Sequence, residues 1–185
     1  MKRRELIVSL CIILASILYL SCDKSSSAKN YPKLTLSSNS YQNEGIIPKK
    51  YTCEGENISP HIAWKDFPKN TKSFVLIMDD PDAPMGTFTH WIVYDIPVSI
   101  TEFPEGLKGV DTSKFKQGKN DFGKIGYGGP CPPKGHGYHR YYFKVYALDI
   151  ESLSLGEGVK VGEVEDKMKG HILATGTYMG KFKRE

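Results

Sequence analysis

Short runs of β-branched and aromatic residues, separated by glycine and proline, constrain the fold of this 185-residue chain more than any other feature. SFVLIMD (residues 73–79), HWIVYDI (residues 90–96) and YYFKVYALD (residues 141–149) each predict a buried strand, because these residue types are enriched in strands. Residues 33–38 and 61–64 are weaker strand candidates. Many short strands in a chain of one-domain length predict a mainly antiparallel β-sandwich or β-barrel.

One segment near the C-terminus has a helical pattern. In VKVGEVEDKMKGHIL (residues 159–173), four apolar residues recur at spacings of three, four and four, which is typical of an amphipathic helix. They are Val161, Val164, Met168 and Ile172. We expect Gly176 to end this helix and TYMGKF (residues 177–182) to form a closing strand. Glycine and proline punctuate residues 97–137, which we expect to be mostly loop.

The N-terminus has the pattern of an export signal. Residues 2–4 are basic and precede an apolar run of 15 residues (6–20), which is short for a membrane-spanning helix and typical of a signal-peptide core. Ser21 and Cys22 follow, and then the polar tract DKSSSAKN. A small residue and a cysteine at this point resemble the lipobox of bacterial lipoproteins, although Tyr19 stands where that motif prefers leucine.

These features predict three parts of the chain. Residues 1–22 are a signal peptide whose Cys22 is lipidated, residues 23–32 are a polar linker, and residues 33–185 are the folded domain. The protein is then an exported, membrane-anchored lipoprotein on the periplasmic or cell-surface side. A conventionally cleaved signal and an uncleaved anchor are the alternatives.

Charge and cysteines restrict the class of partner and the compartment. The net charge is +4 and the lysines are scattered without a basic stripe, so a nucleic-acid partner is not expected. Apart from the cysteines of the leader, the chain has Cys53 and Cys131, an even pair. In an oxidising compartment two such thiols form a disulfide where they lie close together; two separate buried thiols are the alternative.

The stretch DPDAP directly follows the predicted strand at residues 73–79. Pro81 and Pro84 restrict the backbone there, so that Asp80 and Asp82 are held at the end of a rigid element. His90 begins the next strand, and a carboxylate beside it would raise its pKa and favour a protonated ring. A turn-capping role is the alternative for either aspartate alone.

The stretch GGPCPPKGHGYHRY (residues 128–141) contains seven glycines and prolines among two histidines, an arginine and tyrosines. We expect Gly129 and the glycine before it to present backbone N–H groups to an oxyanion. His139 and Tyr141 lie two apart and share one strand face, whereas Arg140 points the other way and is expected to form an ion pair. We expect His136 to be a solvated loop histidine.

These acidic and histidine residues favour binding over catalysis. Two histidines three residues apart could hold a metal together with the other histidine and the aspartates, but their spacing is not that of a typical metal motif. No G-x-S-x-G nucleophile elbow is present, and the cysteine at position 131 lies between prolines. The stretch therefore supplies acid–base groups without an evident nucleophile, and neither a cofactor nor a metal is expected.

Four blocks together resemble the phosphatidylethanolamine-binding protein family, and in particular its bacterial and archaeal branch, often described as Raf-kinase-inhibitor-like. The blocks are YTCEGENISPHIAW, SFVLIMDDPDAP, THWIVYDIP and GYGGPCPPKGHGYHRYYFKVYALD. The resemblance implies a sandwich of two antiparallel sheets with one or two short helices and a small anion-binding pocket at one end. The residues that it places in or around this pocket are Asp80, Asp82, Pro84, His90, Gly129, His139 and Tyr141. The chain ends soon after Phe182, so the long C-terminal helix of eukaryotic members is not expected.

Three functions follow from this resemblance and from the residues. The first is non-enzymatic binding of a small phosphorylated or anionic head group, such as phosphate or phosphorylethanolamine, at a membrane surface. The second is inhibition or regulation of a partner protein such as a protease, for which an exposed apolar patch beside the pocket would be the distinguishing feature. The third is weak hydrolysis with His90 or His139 as general base.

Overall fold

A computed structural model describes residues 30–185 of the chain. The predicted signal peptide with Cys22, and all but the end of the predicted linker, lie outside these residues. Within them the chain forms eight strands and one α-helix. The strands are β1 (Thr35–Ser37), β2 (Ile62–Lys65), β3 (Ser73–Asp80), β4 (Phe88–Pro97), β5 (Glu102–Phe103), β6 (Lys116–Gln117), β7 (His139–Leu148) and β8 (Ile172–Phe182), and the helix is α1 (Val161–Met168).

The strands form two antiparallel sheets. The larger sheet has the order β6-β4-β3-β7-β8, and the smaller has the order β1-β2-β5. Every pairing between these named strands is antiparallel. The predicted mainly antiparallel sandwich is therefore confirmed, and the β-barrel alternative is not the structure.

Both faces of the larger sheet are buried, which explains why β3 has a continuous apolar run at residues 74–78. Neighbouring residues of β3 face opposite sides of the sheet. Phe74 packs towards the smaller sheet, where its ring lies 5.5 Å from that of Trp64. Val75 faces the other way, into a second cluster that includes Val164 and Met168 of α1. A strand that is buried on both faces needs a continuous apolar run rather than an alternating one.

Each of the six runs predicted as strands overlaps a strand, but the C-terminal helix is shorter than predicted. It ends at Met168, and Gly170 follows with φ of +88°, a conformation that favours glycine. Ile172, predicted to lie in the helix, instead begins β8. Gly176 does not end a helix either, because it lies within β8 opposite Val145. Residues 97–137 are mostly loop, as predicted, with the short strands β5 and β6.

The described part of the chain is attached to the larger sheet from its first residues onward. The N–H of Thr175 donates to the carbonyl of Pro32 at 2.9 Å, one residue before the predicted start of the domain.

No helix among residues 30–185 is long and apolar enough to cross a membrane.

Cys53 and Cys131 form a disulfide between positions 78 residues apart, with their Cα atoms at 5.4 Å. The structure thus decides between the two alternatives that the sequence left open. The bond connects the loop after residues 49–51 to the proline-rich stretch that precedes β7.

Candidate ligand-binding site

A cavity of about 440 Å³ lies where β3, β4 and β7 come together, and we call it the candidate pocket. Four residues predicted from the sequence line it: Asp80, Pro84, His90 and His139. Asp80 is the last residue of β3 and His139 is the first of β7. These strands are neighbours in the larger sheet, so its topology brings the two sequence stretches together.

Asp80 and His139 form a buried pair. Nδ1 of His139 lies 2.7 Å from Oδ2 of Asp80, and the two side chains are only 3% and 4% exposed. The backbone N–H of Asp82 donates to the other carboxylate oxygen at 2.8 Å. With one oxygen held by its own turn, Asp80 fixes the ring orientation of His139 and leaves Nε2 of that ring to face other groups.

His90 reaches the pocket because β4 contains a bulge. Met78 pairs with Trp91 and Asp79 pairs with Thr89, so His90 has no partner across the strand pair. A bulge redirects side chains in this way. The ring of His90 stands edge-on against the ring of Tyr141 at 5.2 Å.

The protonation predicted for His90 was wrong. Burial lowers the pKa of His90, and this effect outweighs the carbonyl of Gly128 and the charge of Asp80, which act in the opposite direction. Nδ1 of the ring lies 2.6 Å from the Gly128 carbonyl, to which it donates. The neutral ring therefore has its proton on Nδ1, and its Nε2 is a hydrogen-bond acceptor.

Gly129 does not present its N–H to the cavity, contrary to the prediction. Its N–H donates to Oδ1 of Asn57 at 2.7 Å, and the N–H of Gly128 donates to the carbonyl of His90 at 3.0 Å. Glycine is needed at position 129 for close packing, because a Cβ there would lie 2.3 Å from the carbonyl oxygen of Tyr51. Neither glycine lines the cavity; Gly128 instead holds His90 through two hydrogen bonds, one to the ring and one to the backbone.

Asp82 is also not a lining residue, although the sequence placed it there. Its carboxylate accepts from the Arg140 backbone N–H at 2.9 Å, from Nε at 2.8 Å and from Nη2 at 2.6 Å. These hydrogen bonds with the guanidinium lower the pKa of Asp82 to about 2. The ion pair expected of Arg140 is present, and it ties the DPDAP turn to β7.

Tyr141 lies behind the pocket rather than on its surface. It is fully buried and packs against His90, and its hydroxyl has no hydrogen-bond partner among the described residues. Burial raises the pKa of Tyr141, and the negative charge of Asp80 raises it further. In the structure Tyr141 therefore supports the His90 ring, and its contact with a ligand stays a prediction.

The sequence did not identify the aromatic and acidic wall of the pocket. Phe88 and Phe122 both line it with their rings 4.7 Å apart, and the His90 ring lies 5.0 Å from the first and 5.4 Å from the second. Asp121 also lines the pocket and accepts a hydrogen bond from the N–H of Thr89 at 2.7 Å.

Phe88 could have been recognised from the sequence because it lies two residues before His90, whereas residues 121–122 lie in a loop without a periodic pattern. No lysine or arginine of the described chain lines the cavity.

His136 is exposed, as predicted, but the sequence missed its contact with His139. Its Nδ1 lies 3.2 Å from Nε2 of His139. Among residues 30–185 no group of three or more histidine, cysteine or acidic side chains is arranged to hold a metal ion.

Comparison with known proteins identifies the family. A family model described as phosphatidylethanolamine-binding protein matches residues 37–183. The chain belongs to this family. The UPF0098 protein of Aquifex aeolicus, for example, is 60% identical over 149 residues, which cover 80% of this chain and 87% of that protein.

Solved structures place the chain in the same fold. The crystal structure of Escherichia coli YbcL, described as a new member of the mammalian phosphatidylethanolamine-binding protein family, has a TM-score of 0.77 and 32% identity over 83% of this chain and 99% of that one. A carboxypeptidase Y inhibitor, solved in complex with its cognate proteinase, has a TM-score of 0.50 and 18% identity over 83% of this chain and 85% of that one. The family expected from the four sequence blocks is thus confirmed.

Proposed function

We propose that the protein binds, without catalysis, a small phosphorylated head group that has a protonated phosphoryl oxygen or an ammonium group. The observation that carries this proposal is the arrangement of Asp80, His90 and His139 around a cavity without a lysine or arginine in its lining. A multivalent anion with no proton to donate would meet a carboxylate and a neutral ring nitrogen there. A ligand that both donates and accepts hydrogen bonds fits these groups better.

Each polar group has a defined role in this binding mode. A P–OH group of the ligand donates to Nε2 of His90, which burial keeps neutral. An unprotonated phosphoryl oxygen accepts from Nε2 of His139, whose other nitrogen is held by Asp80. Because both rings are fixed by protein contacts before the ligand arrives, binding costs little side-chain entropy.

The aromatic and acidic wall suits an ammonium group on the same ligand. Cations are attracted to the faces of aromatic rings, and Phe88 and Phe122 supply two rings beside the carboxylate of Asp121. The cavity of about 440 Å³ falls in the range of small-molecule sites and leaves room for more than a phosphoryl group. Phosphorylethanolamine combines both kinds of group.

The lining also supports binding rather than catalysis. In the described chain, no serine lines the cavity, and its one cysteine, Cys131, is held in the disulfide. Hydrolysis through a covalent intermediate needs an activated nucleophile beside a base. Thr87 also lines the cavity, but its hydroxyl makes no hydrogen bond with either lining histidine of the described chain.

The proposal is tested by NMR titration of the protein with inorganic phosphate and with O-phosphorylethanolamine. We expect saturable shifts confined to residues around Asp80, His90 and His139. His90→Ala and His139→Ala should abolish them, while His61→Ala, which changes a histidine at the smaller sheet, should leave them unchanged. Absence of shifts at millimolar concentrations of both compounds would contradict the proposal.

A second candidate function, regulation of a partner protein, is favoured by the rim of the pocket. Met85 is fully exposed and Phe122 is 44% exposed, and both line the cavity. These are the exposed apolar residues beside the pocket that a docking surface would need. In this case Met85→Ser should weaken inhibition of a protease while leaving phosphate binding through the histidines intact.

We also propose that Cys22 carries a lipid anchor that holds this pocket at a membrane surface. The proposal rests on the signal-like sequence before Cys22 and on the polar tract after it. The expected result is that the protein from cell membranes has a lipid-modified cysteine as its first residue. A Cys22→Ala variant should lose this modification; a mature N-terminus elsewhere would contradict the proposal.

A further inference from the structure

The side chains of Asp80, His139 and His136 form a line from the end of β3 to an exposed loop. Asp80 contacts Nδ1 of His139 at 2.7 Å, and Nε2 of the same ring contacts Nδ1 of His136 at 3.2 Å. His139 lines the candidate pocket, and His136 lies in the loop between His139 and Pro133, another lining residue. The fold does not require the second contact, because His136 is exposed.

The contact between the two rings can hold only one proton. A hydrogen bond needs one donor and one acceptor, so one of the two facing nitrogens is protonated and the other is not. The proton on Nδ1 of His139 is donated to the carboxylate of Asp80, so it is not the proton shared between the two rings. If both facing nitrogens carried protons, two N–H groups would point at each other, and the contact would break unless an acceptor entered.

We infer that His136 contacts the ligand, and that the His136–His139 pair takes up a proton when a phosphoryl group binds. The inference rests on the proposed function. It adds His136 to the ligand contacts and adds the uptake of one proton to the binding step. A phosphoryl oxygen at the pair accepts one hydrogen bond from each ring, and its negative charge stabilises the second proton. The pair then recognises the anionic part of the ligand, while His90 recognises the protonated part.

The backbone around His136 permits the movement that this requires. Gly135 and Gly137 have φ of +75° and +84°, and a Cβ at either would meet nothing within 4 Å. The N–H of His136 donates to the Pro133 carbonyl at 3.2 Å, which keeps the turn closed while the ring is in solvent. His139, by contrast, is 2% exposed. The ring of His136 can therefore turn away from His139 without disturbing the core.

Neither the charged groups on neighbouring elements nor Lys134, which is in the same loop but does not line the cavity, supplies positive charge to the pocket. Asp80 faces His139 from β3 and is negative. Arg140 is engaged by the carboxylate of Asp82, Arg184 contacts a glutamate and the Pro132 carbonyl, and Lys183 pairs with a glutamate beside it. Since no lysine or arginine of the described chain lines the pocket, the histidine pair is its source of positive charge.

The test is isothermal titration calorimetry of the protein with O-phosphorylethanolamine at about pH 7.5, in two buffers of different ionisation enthalpy. The change in binding enthalpy between the two buffers gives the number of protons taken up on binding. Protons that the ligand itself takes up contribute equally to each variant, so they cancel in the difference between two variants. His136→Asn keeps a hydrogen-bond donor but cannot titrate. We expect it to take up fewer protons than the unmodified protein and to bind about tenfold more weakly, as loss of a charge-assisted hydrogen bond implies.

His171→Asn is the matched control, because this histidine bonds to Asp149 away from the pocket. It should reproduce both the affinity and the proton uptake of the unmodified protein. Equal affinity and equal proton uptake in His136→Asn would overturn the inference and leave the proposed function standing. If the unmodified protein binds neither phosphate nor O-phosphorylethanolamine, both the inference and the proposed function fail.

Discussion

The protonation of His90 decides which ligands the pocket can accept. A carboxylate nearby normally raises the pKa of a histidine, but this ring is 2% exposed, and burial disfavours its charged form more strongly. The ring of His139 is oriented differently, because its Nδ1 lies directly against a carboxylate oxygen of Asp80 rather than against a backbone carbonyl. Two histidines of one pocket therefore have opposite roles, one accepting and one donating.

The low pKa of His90 is directly measurable. In NMR spectra recorded against pH, we expect the ring protons of His90 to titrate below pH 6.5, the ordinary value for histidine. A pKa for His90 at or above the ordinary value would contradict the effect ascribed to burial of this ring.

Arg140→Ala tests the ion pair that keeps Asp82 out of the pocket. Because Arg140 lowers the pKa of Asp82 in the folded state from 3.8 to about 2, the pair stabilises the fold above about pH 4 and loses this effect as the pH falls towards 2. The stability difference between the unmodified protein and Arg140→Ala should be small and constant from pH 7 to 5, since the pair is partly exposed. It should then shrink as the pH falls from about 4 to 2.

Denaturant unfolding followed by circular dichroism at several pH values measures this difference. Lys69→Ala removes an exposed positive charge elsewhere and controls for the change in net charge. A stability difference that grows on acidification would contradict the assignment of the pair.

At the scale of elements, β8 depends on glycine for its packing against the N-terminal segment. A Cβ at Gly176 would lie 2.3 Å from Cδ1 of Leu36 and 2.7 Å from the carbonyl oxygen of Leu34. Gly176→Ala should therefore lower the free energy of unfolding by about 1–3 kcal/mol through overpacking. Gly162→Ala is the matched control, because a Cβ at that helix position meets nothing within 4 Å and should stabilise the protein by up to about 1 kcal/mol.

Chemical unfolding of both variants gives these values. Equal stability of Gly176→Ala and the unmodified protein would show that β8 is not packed as closely as described. An increase in the free energy of unfolding for both variants would likewise show that Gly176 is not closely packed.

The elements that the sequence predicted correctly are those with a local cause. β3 and β7 follow from runs rich in β-branched, aromatic and other apolar residues, and the DPDAP and GYHR stretches mark their ends at the pocket. The C-terminal helix was extended too far because Ile172 continues the helical spacing, although Gly170 already turns the chain.

The features that the sequence could not predict depend on contacts between distant segments. The bulge that turns His90 appears only when β4 is aligned with β3. The N–H of Gly129 is taken by Asn57, which lies 72 positions away. Phe122 joins the pocket from a loop without a periodic pattern. Four of the seven residues predicted for the pocket nevertheless line it.

At the scale of the whole molecule, the disulfide connects the proline-rich wall of the pocket to a distant loop. The double variant Cys53→Ser, Cys131→Ser opens a link across 78 positions and should lower the free energy of unfolding by about 2–4 kcal/mol. Thermal unfolding with and without a reducing agent measures the effect. Reduction should destabilise the unmodified protein and leave the double variant unchanged; equal melting temperatures of all these forms would contradict a stabilising disulfide.

The central claim is that the pocket selects a phosphoryl group that still carries a proton, and a comparison of phosphate with sulfate tests it most directly. At about pH 6 inorganic phosphate has P–OH groups, whereas sulfate, of the same shape, has none to donate to His90. Calorimetric titration of the protein with each anion should show phosphate binding at least about tenfold more tightly, since an unpaired buried acceptor costs about 1–3 kcal/mol. Equal affinity for the two anions would contradict the account.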